Sequence, residues 1–335
     1  MDIADEIDLL TGEKIEVDLW QKYSGFTPKF FERWLHTDGG IVGQDDAVKS
    51  AAIILYNHIN KRRSVNMFIA ESGSGKSYLW QVLQKECGAD KIIIHDASTL
   101  TPEGYKGSSK VSYIFRDIPA ETRSRVILVL DEFDKILQTN SVSGEFSDAI
   151  QSQLLRLFNG DTLIFAGENG FTVDTSEITI VLLGAFQRLQ DKKQRKRTST
   201  GVIGFHREQP TNSDNGKTDI VIEDLIAYGM KRELAGRITR IVCMNPLNID
   251  DLVRIGWQEV KRLEKQIQRP ISVDNSVILH LAHIAVKKQL GARWIKSQLA
   301  NILDELIYEN PHAERYEIDF SLVEPDITAE AELVE

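Results

Sequence analysis

The sequence of 335 residues contains only two cysteines, Cys87 and Cys243, and they lie far apart in the chain. Without a Cys-x-x-Cys pair, the sequence predicts neither a zinc site nor a disulfide framework, and a reducing cytoplasm fits it. No apolar run is long enough to span a bilayer, and the acidic start of the chain lacks the basic region of a secretory signal. We therefore expect a cytoplasmic protein with no membrane partner.

Basic charge is also scarce, because 50 acidic residues outnumber 40 lysines and arginines and leave a formal net charge of −10. Non-specific binding to nucleic acid requires a basic surface that neutralises phosphates. The charge balance therefore disfavours nucleic acid as the main partner. One basic run is present at residues 192–197, but such a run is more often a solvated loop than a nucleic-acid site.

The most informative stretch that is present is residues 70–77, which read AESGSGKS and follow a short apolar run. Glycines let backbone N–H groups turn towards a phosphate, and the helix predicted after them adds a positive dipole. The residues predicted to bind a nucleotide here are Gly73, Ser74, Gly75, Lys76, Ser77 and Tyr78. Ala70 stands where the pattern prefers glycine, so its methyl group is expected to crowd the turn without abolishing binding.

A second motif is the apolar stretch 126–130, which ends in the carboxylates of Asp131 and Glu132. Either motif alone is weak evidence, but their order and separation together predict ATP hydrolysis. Ser77 and Asp131 are expected to hold a Mg²⁺ ion on the outer phosphates, which Lys76 neutralises. Glu132 is expected to orient and deprotonate the attacking water. The predicted cofactors are therefore ATP and Mg²⁺.

Apolar strands alternate with helical stretches between residues 41 and 242, which predicts an α/β domain with a parallel sheet. The candidate strands are residues 67–70, 91–95, 126–130, 178–184 and 240–243. From residue 245 the pattern changes to amphipathic helices, for example at 250–267 and 276–289, with a short strand at 316–320. Aromatic residues before position 41, including Phe30, Phe31 and Trp34 at helical spacing, predict a helix packed on the body; a partner-docking segment is the alternative.

These patterns divide the chain into four parts. They are a leader at 1–40, a large ATPase domain at 41–244, a small and mainly helical domain at 245–323, and an acidic tail at 324–335.

Several motifs in the same order resemble the ClpX family, which are AAA+ protein unfoldases with a P-loop domain and a small helical C-terminal domain. They are residues 41–47 (IVGQDDA), 55–58 (LYNH), 70–77, 131–136 (DEFDKI), 184–186 (GAF), 223–226 (EDLI), 236–237 (GR) and 291–293 (GAR). The resemblance implies that Ile41 and Val42 hold adenine and that Arg293 contacts the nucleotide of its own subunit. It also implies that Arg237 reaches the nucleotide of a neighbouring subunit, in a ring that is most often a homohexamer.

The resemblance further implies two contacts with other polypeptides. Gly104, Tyr105, Lys106 and Gly107 occupy the position of a pore loop in which the aromatic residue grips the substrate, although Lys106 replaces an apolar residue of the family. Ile203, Gly204 and Phe205 match the tripeptide that docks on the peptidase ClpP. The zinc-binding N-terminal domain of the family is not expected here, and the end of the stretch 178–184 shows no asparagine for the usual sensor position.

Three functions fit this sequence. The first is a ring-forming unfoldase that delivers proteins to a ClpP-type peptidase. The second is the same motor used for protein remodelling without a peptidase, and the third is an AAA+ ATPase that acts on nucleic acid through its basic run, which the acidic balance and Tyr105 disfavour.

Overall fold

The computed structural model describes residues 20–102, 110–137, 144–165, 170–190 and 220–323. The strands are β1 (Val65–Ile69), β2 (Ile92–Asp96), β3 (Ile127–Asp131), β4 (Thr162–Phe165), β5 (Phe171–Asp174), β6 (Thr179–Gly184), β7 (Arg240–Cys243), β8 (Ile271–Val273) and β9 (Tyr316–Ile318). The α-helices are α1 (Pro28–His36), α2 (Asp45–Ile59), α3 (Lys76–Cys87), α4 (Val111–Arg116), α5 (Phe133–Ile136), α6 (Gly144–Asn159), α7 (Ile222–Tyr228), α8 (Arg232–Ala235), α9 (Ile249–Ile267), α10 (Asn275–Lys287) and α11 (Gly291–Glu309).

Five strands form one sheet in the order β2-β3-β6-β1-β7, and every neighbouring pair is parallel. The five strands predicted from the sequence are the strands of this sheet, with ends shifted by no more than two residues. The central strands β1 and β6 are buried along their whole length. Strands with helices on both faces read as nearly continuous apolar runs, and this explains why they could be recognised. The predicted α/β fold class is confirmed.

Helices cover both faces of the sheet, because successive side chains of each strand point to opposite faces. Met67 of β1 belongs to the core on the side of α4 to α8, whereas Phe68 belongs to the core on the side of α1, α2 and α3. Two cores therefore enclose the sheet and hold its carboxyl edge in a fixed position.

The leader helix α1 packs into the second of these cores, as its aromatic spacing predicted. The hydroxyl of Thr27 accepts the N–H of Phe30 and caps the helix, and Pro28 takes the first helical position. Phe31 and Leu35 on its inner face are buried. The aromatic leader is therefore part of the body from residue 20 onwards.

Helices α9, α10 and α11 form a third core with the short strands β8 and β9. The strand predicted near residue 316 is present as β9, but its parallel partner β8 was not predicted. The antiparallel hairpin of β4 and β5, with Leu163 opposite Val173, was also missed. Strands of three or four residues are too short for an alternating pattern to stand out. Within the described ranges, no helix is both long enough and apolar enough to cross a membrane.

Candidate active site

The order of the strands brings the two carboxylates to the phosphate-binding loop. β1 leads directly into this loop, β3 ends at Asp131, and β6 lies between them, with Gly184 opposite Ile69. The carboxyl ends of parallel strands share one edge of a sheet, where open α/β folds bind their ligands. Residues that are about sixty positions apart in sequence therefore line one cleft.

The phosphate-binding loop is turned by two of its glycines. Gly73 and Gly75 have left-handed φ angles of 82° and 94°, which explains why glycine is required at both positions. The hydroxyl of Ser74 donates to the carbonyl of Glu71 at 2.7 Å and closes the turn. Lys76 begins helix α3, so the N–H groups of its first turn face the cleft.

Ala70 does not crowd the loop, contrary to the expectation from its sequence. Its φ angle is not positive, its side chain is buried, and its N–H donates to the carbonyl of Gly184 at 3.2 Å. Because the left-handed positions come three and five residues later, a methyl group at position 70 meets no conformational penalty.

Lys76 lies among the acidic groups of the cleft. Burial lowers the pKa of its ammonium below the usual range, and the carboxylates of Asp131, Asp134 and Glu132 oppose this shift. Asp131 accepts the N–H of Glu132 at 2.9 Å, and Glu132 itself has a left-handed φ of 54° and an exposed side chain. A non-glycine residue in this region is strained, and such strain is often found at functional positions.

The C-terminal helices close the cleft from the other side. Gly73 and Gly291 approach backbone to backbone: a Cβ atom added at Gly291 would lie 2.9 Å from the Cα of Gly73. This contact brings the start of α11 against the phosphate-binding loop, and Arg293 two residues later adds to the lowering of the Lys76 pKa. The cleft has a volume of about 340 Å³, which falls within the range of small-molecule sites. It is lined by Gly40, Ile41, Val42, Gln44, the residues from Ser72 to Leu79, Gln81, Asp131, Glu132, Met244, Leu247, Ile255, Gln258, Ala292, Arg293 and Lys296.

Ile41 and Val42 line the same cleft as the phosphate-binding loop and the carboxylates. The N–H of Ile41 donates to the carbonyl of Leu35 at 2.9 Å, and the carbonyl of Ile41 lies 3.0 Å from Nδ1 of His36. The N–H of Ile41 is thus used within the chain, so a backbone N–H that contacts a ligand here must come from Val42 or its neighbours. The side chains of the pair supply an apolar wall.

Gln44 and Asp134 take part in this site and were not recognised from the sequence. The amide of Gln44 donates to the carbonyls of Ser74 and Asn245, at 3.3 and 2.6 Å, and so ties the apolar wall to the loop. Asp134 is buried and accepts the N–H of Phe186 at 3.2 Å, and Phe186 has a left-handed φ of 47°. Asp134 thus fixes the end of β6, where the sequence offered no sensor residue. A carboxylate two positions after Glu132, between the apolar residues Phe133 and Ile136, was the available signal.

Arg237 does not reach the cleft of its own chain. Thr239, two residues later, donates its N–H to the carbonyl of Val65 at the amino end of β1, whereas the phosphate-binding loop follows the carboxyl end of that strand. Arg237 is exposed at the opposite edge of the sheet. Burial lowers the pKa of Arg63, and the nearby charge of Arg237 lowers it further. The predicted pore loop, Gly104 to Gly107, and the predicted docking tripeptide, Ile203 to Phe205, lie outside the described residues.

Comparison with known proteins identifies the class to which this cleft belongs. The family described as AAA domain (Cdc48 subfamily) matches residues 61–241, which contain the first four strands of the sheet, the start of β7, the phosphate-binding loop and both carboxylates. The chain belongs to this family and is an ATPase.

Most of the chain is similar to proteins named ATP-dependent Clp protease ATP-binding subunit ClpX. The protein from Borrelia duttonii is 28% identical over 86% of this chain and 76% of its own length. Those from Treponema denticola and Bacteroides thetaiotaomicron are each 27% identical, over 85% and 88% of this chain and 77% and 80% of their own lengths. The predicted resemblance to ClpX is confirmed, and the chain is an AAA+ ATPase of the Clp family.

Proposed function

We propose that this protein is an ATP-driven unfoldase, which works as a ring of six identical copies and delivers polypeptides to a ClpP-type peptidase. The observation that carries the proposal is the separation of Arg237 from the cleft of its own chain. An arginine that serves a nucleotide site from this position must serve a neighbouring copy. The similarity to ClpX proteins over most of the chain supports the particular activity.

Within the cleft, the first roles concern the phosphates. The loop from Gly73 to Ser77 and the first turn of α3 surround the phosphates, and Lys76 neutralises their charge. Ser77 and Asp131 offer the hard oxygen ligands that Mg²⁺ prefers and would hold the ion, which would neutralise charge on the phosphates. Both residues line the same cleft, and this supports the assignment. Glu132 is the base that orients and deprotonates water.

The remaining roles link the nucleotide to the rest of the molecule. Ile41 and Val42 hold the adenine ring against an apolar wall, and Tyr78 lines the site beside the phosphates. Arg293 contacts the nucleotide of its own subunit, and the close approach of Gly73 and Gly291 makes the position of α11 sensitive to the loop. Hydrolysis then changes how the C-terminal helices sit on the sheet.

Assembly into a ring is supported by the exposed surface of helix α10. Leu279 and Val286, two helical turns apart on one face of this helix, are 46% and 41% exposed. Leu290, in the connection that follows the helix, is 38% exposed. Exposed apolar stripes of this kind mark contacts with other polypeptides. Together with the exposed Arg237, they provide separate surfaces for two neighbours, as a heterologous ring interface requires.

The peptidase partnership can be tested by degradation of an unstructured, fluorescently labelled protein in the presence of ATP and a ClpP-type peptidase from the same cell. Degradation is expected to require ATP, the peptidase and Phe205, so that Phe205→Ala abolishes it while ATP hydrolysis continues. Val202→Ala, a neighbouring apolar truncation outside the tripeptide, is the matched control. ATP consumption without any degradation by the wild-type protein would replace this proposal by a peptidase-independent remodeller.

Substrate grip can be tested separately at Tyr105. An aromatic side chain between two glycines can press on an extended polypeptide without demanding a sequence, so Tyr105→Ala is expected to retain ATP hydrolysis and lose unfolding. Tyr105→Phe, which keeps the ring, is expected to unfold a stable fluorescent protein at close to the normal rate. Normal unfolding by Tyr105→Ala would contradict the pore-loop assignment.

A further inference from the structure

Helix α11 carries a second cation into the cleft in addition to Arg293. Lys296 lies three residues after Arg293, which places both on the same side of the helix, one turn apart. Both line the cleft together with Lys76. The cleft is also lined by two carboxylates, Asp131 and Glu132. With Lys296 the cations outnumber the carboxylates, so the charge of the lining favours an anionic ligand.

Lys296 also touches the helix that follows the phosphate-binding loop. Its ammonium lies 4.8 Å from the centre of the Tyr78 ring, within the range of a cation–π contact. Tyr78 comes directly after Ser77 in the first turn of α3 and is 44% exposed. The contact therefore holds the ammonium beside the helix N-terminus, where the N–H groups face the phosphates.

A buried carboxylate lies on the far side of Lys296. Glu259 of α9 is only 3% exposed, and an ionised group so deeply buried requires a charged partner. Arg262 supplies that partner on the same helix: its Nε lies 3.0 Å from both Oε1 and Oε2, and its Nη2 lies 2.5 Å from Oε1. Lys296 lies at the longer distance of 4.0 Å from Oε2.

The two ion pairs of Glu259 differ in strength. Charge-assisted hydrogen bonds are short, and Arg262 makes such contacts with both oxygens of Glu259, so its charge is paired without Lys296. The pair with Lys296 can therefore open without leaving a buried charge alone. Lys296 is in consequence free to move from Glu259 towards an anion that enters the cleft, while Tyr78 keeps it nearby.

We propose that Lys296 is a nucleotide-contacting residue that binds phosphate oxygens, and that Glu259 is its counter-ion while the cleft is empty. This inference rests on the proposed nucleotide site. Lys296 then gives the C-terminal helices a contact with the nucleotide that is independent of Arg293, and Tyr78 positions it.

The contact is tested by the binding of fluorescent ATP and ADP, with Mg²⁺, to protein that carries Glu132→Gln to prevent turnover. Lys296→Met keeps the length of the side chain and removes its charge, so we expect both nucleotides to bind about tenfold more weakly, as for the loss of one charge-assisted hydrogen bond. Competition by adenosine, which lacks phosphates, is expected to be unchanged. The matched control is Lys265→Met, an exposed lysine of α9 outside the cleft, which should bind like the parent.

Each result has a distinct meaning. Normal nucleotide binding by Lys296→Met would overturn this inference and leave the proposed function intact, whereas failure of the parent protein to bind any nucleotide would overturn the nucleotide site itself. An equal loss of adenosine binding would show that the substitution distorts the cleft, and it would also overturn the phosphate contact.

The counter-ion role of Glu259 is tested by Glu259→Gln, which keeps an acceptor for Arg262 and removes the charge that competes for Lys296. Affinity for ATP is expected to rise roughly two- to threefold, the scale of a weak ion pair whose lysine remains partly exposed. The same substitution in the Lys296→Met background is expected to have no effect. A rise that persists without Lys296, or no rise in its presence, would overturn the role of Glu259.

Discussion

Replacing Glu132 by glutamine is expected to lower the rate of ATP hydrolysis by at least about 100-fold while ATP still binds. Glutamine has nearly the shape of glutamate but cannot take a proton from water. Phosphate binding depends on the loop around Gly73 and Gly75 and on Lys76, which the substitution leaves untouched. The side chain of Glu132 is exposed, and its backbone is held by Asp131, so the fold should tolerate the change.

The measurement is steady-state phosphate release together with the affinity for fluorescent ATP. Glu121→Gln makes the same chemical change at an exposed glutamate that does not line the cleft, and it should behave like the wild type. Hydrolysis at the wild-type rate by Glu132→Gln would remove Glu132 from the role of base. Loss of ATP binding would instead assign Glu132 to the binding of the nucleotide.

The sheet could be predicted from the sequence because each buried strand and the glycine-rich loop leave a recognisable pattern within a few consecutive residues. Strands such as β6 are buried on both faces and therefore read as apolar runs, and the loop at Gly73 and Gly75 requires glycine at fixed spacing. The placement of Asp131 beside that loop also follows from a general rule for parallel strands. The fold class and the nearness of Asp131 to the phosphate-binding loop therefore follow from the sequence.

Contacts between distant segments could not be predicted in this way. The close backbone contact between Gly73 and Gly291 joins residues more than two hundred positions apart, and nothing in the sequence around either glycine indicates the contact. Asp134 is a buried carboxylate that accepts the backbone N–H of Phe186, two residues after the end of β6. Glu259 is a buried carboxylate that pairs with Arg262 on its own helix and with Lys296 on another. An acidic residue in a helical pattern is usually solvated, so only the packing reveals that these two are not.

Replacing Arg237 by alanine is expected to lower ATP hydrolysis by about a thousandfold without unfolding the subunit, because an arginine finger has this effect on phosphoryl transfer. The side chain is exposed, and so its loss should leave thermal stability nearly unchanged. Arg237 lies near the amino end of β1, and the cleft of the same chain lies at the carboxyl end of that strand. The five residues of β1 span about 13 Å at about 3.3 Å per residue. Arg232→Ala, an exposed arginine of the preceding helix, is the control and should hydrolyse ATP normally.

A mixing experiment then decides whether Arg237 acts on a neighbouring copy. Arg237→Ala retains Glu132, and Glu132→Gln retains Arg237, so each variant alone lacks one part of every site. If the arginine comes from the next subunit, a random mixture of the two in equal amounts places a complete site at about one quarter of the interfaces, and hydrolysis should recover to that order. If both residues had to come from the same chain, no mixture would contain a complete site. Failure to recover activity, in a mixture shown to form joint assemblies, would contradict the shared site, and with it the argument that this ATPase must assemble in order to work.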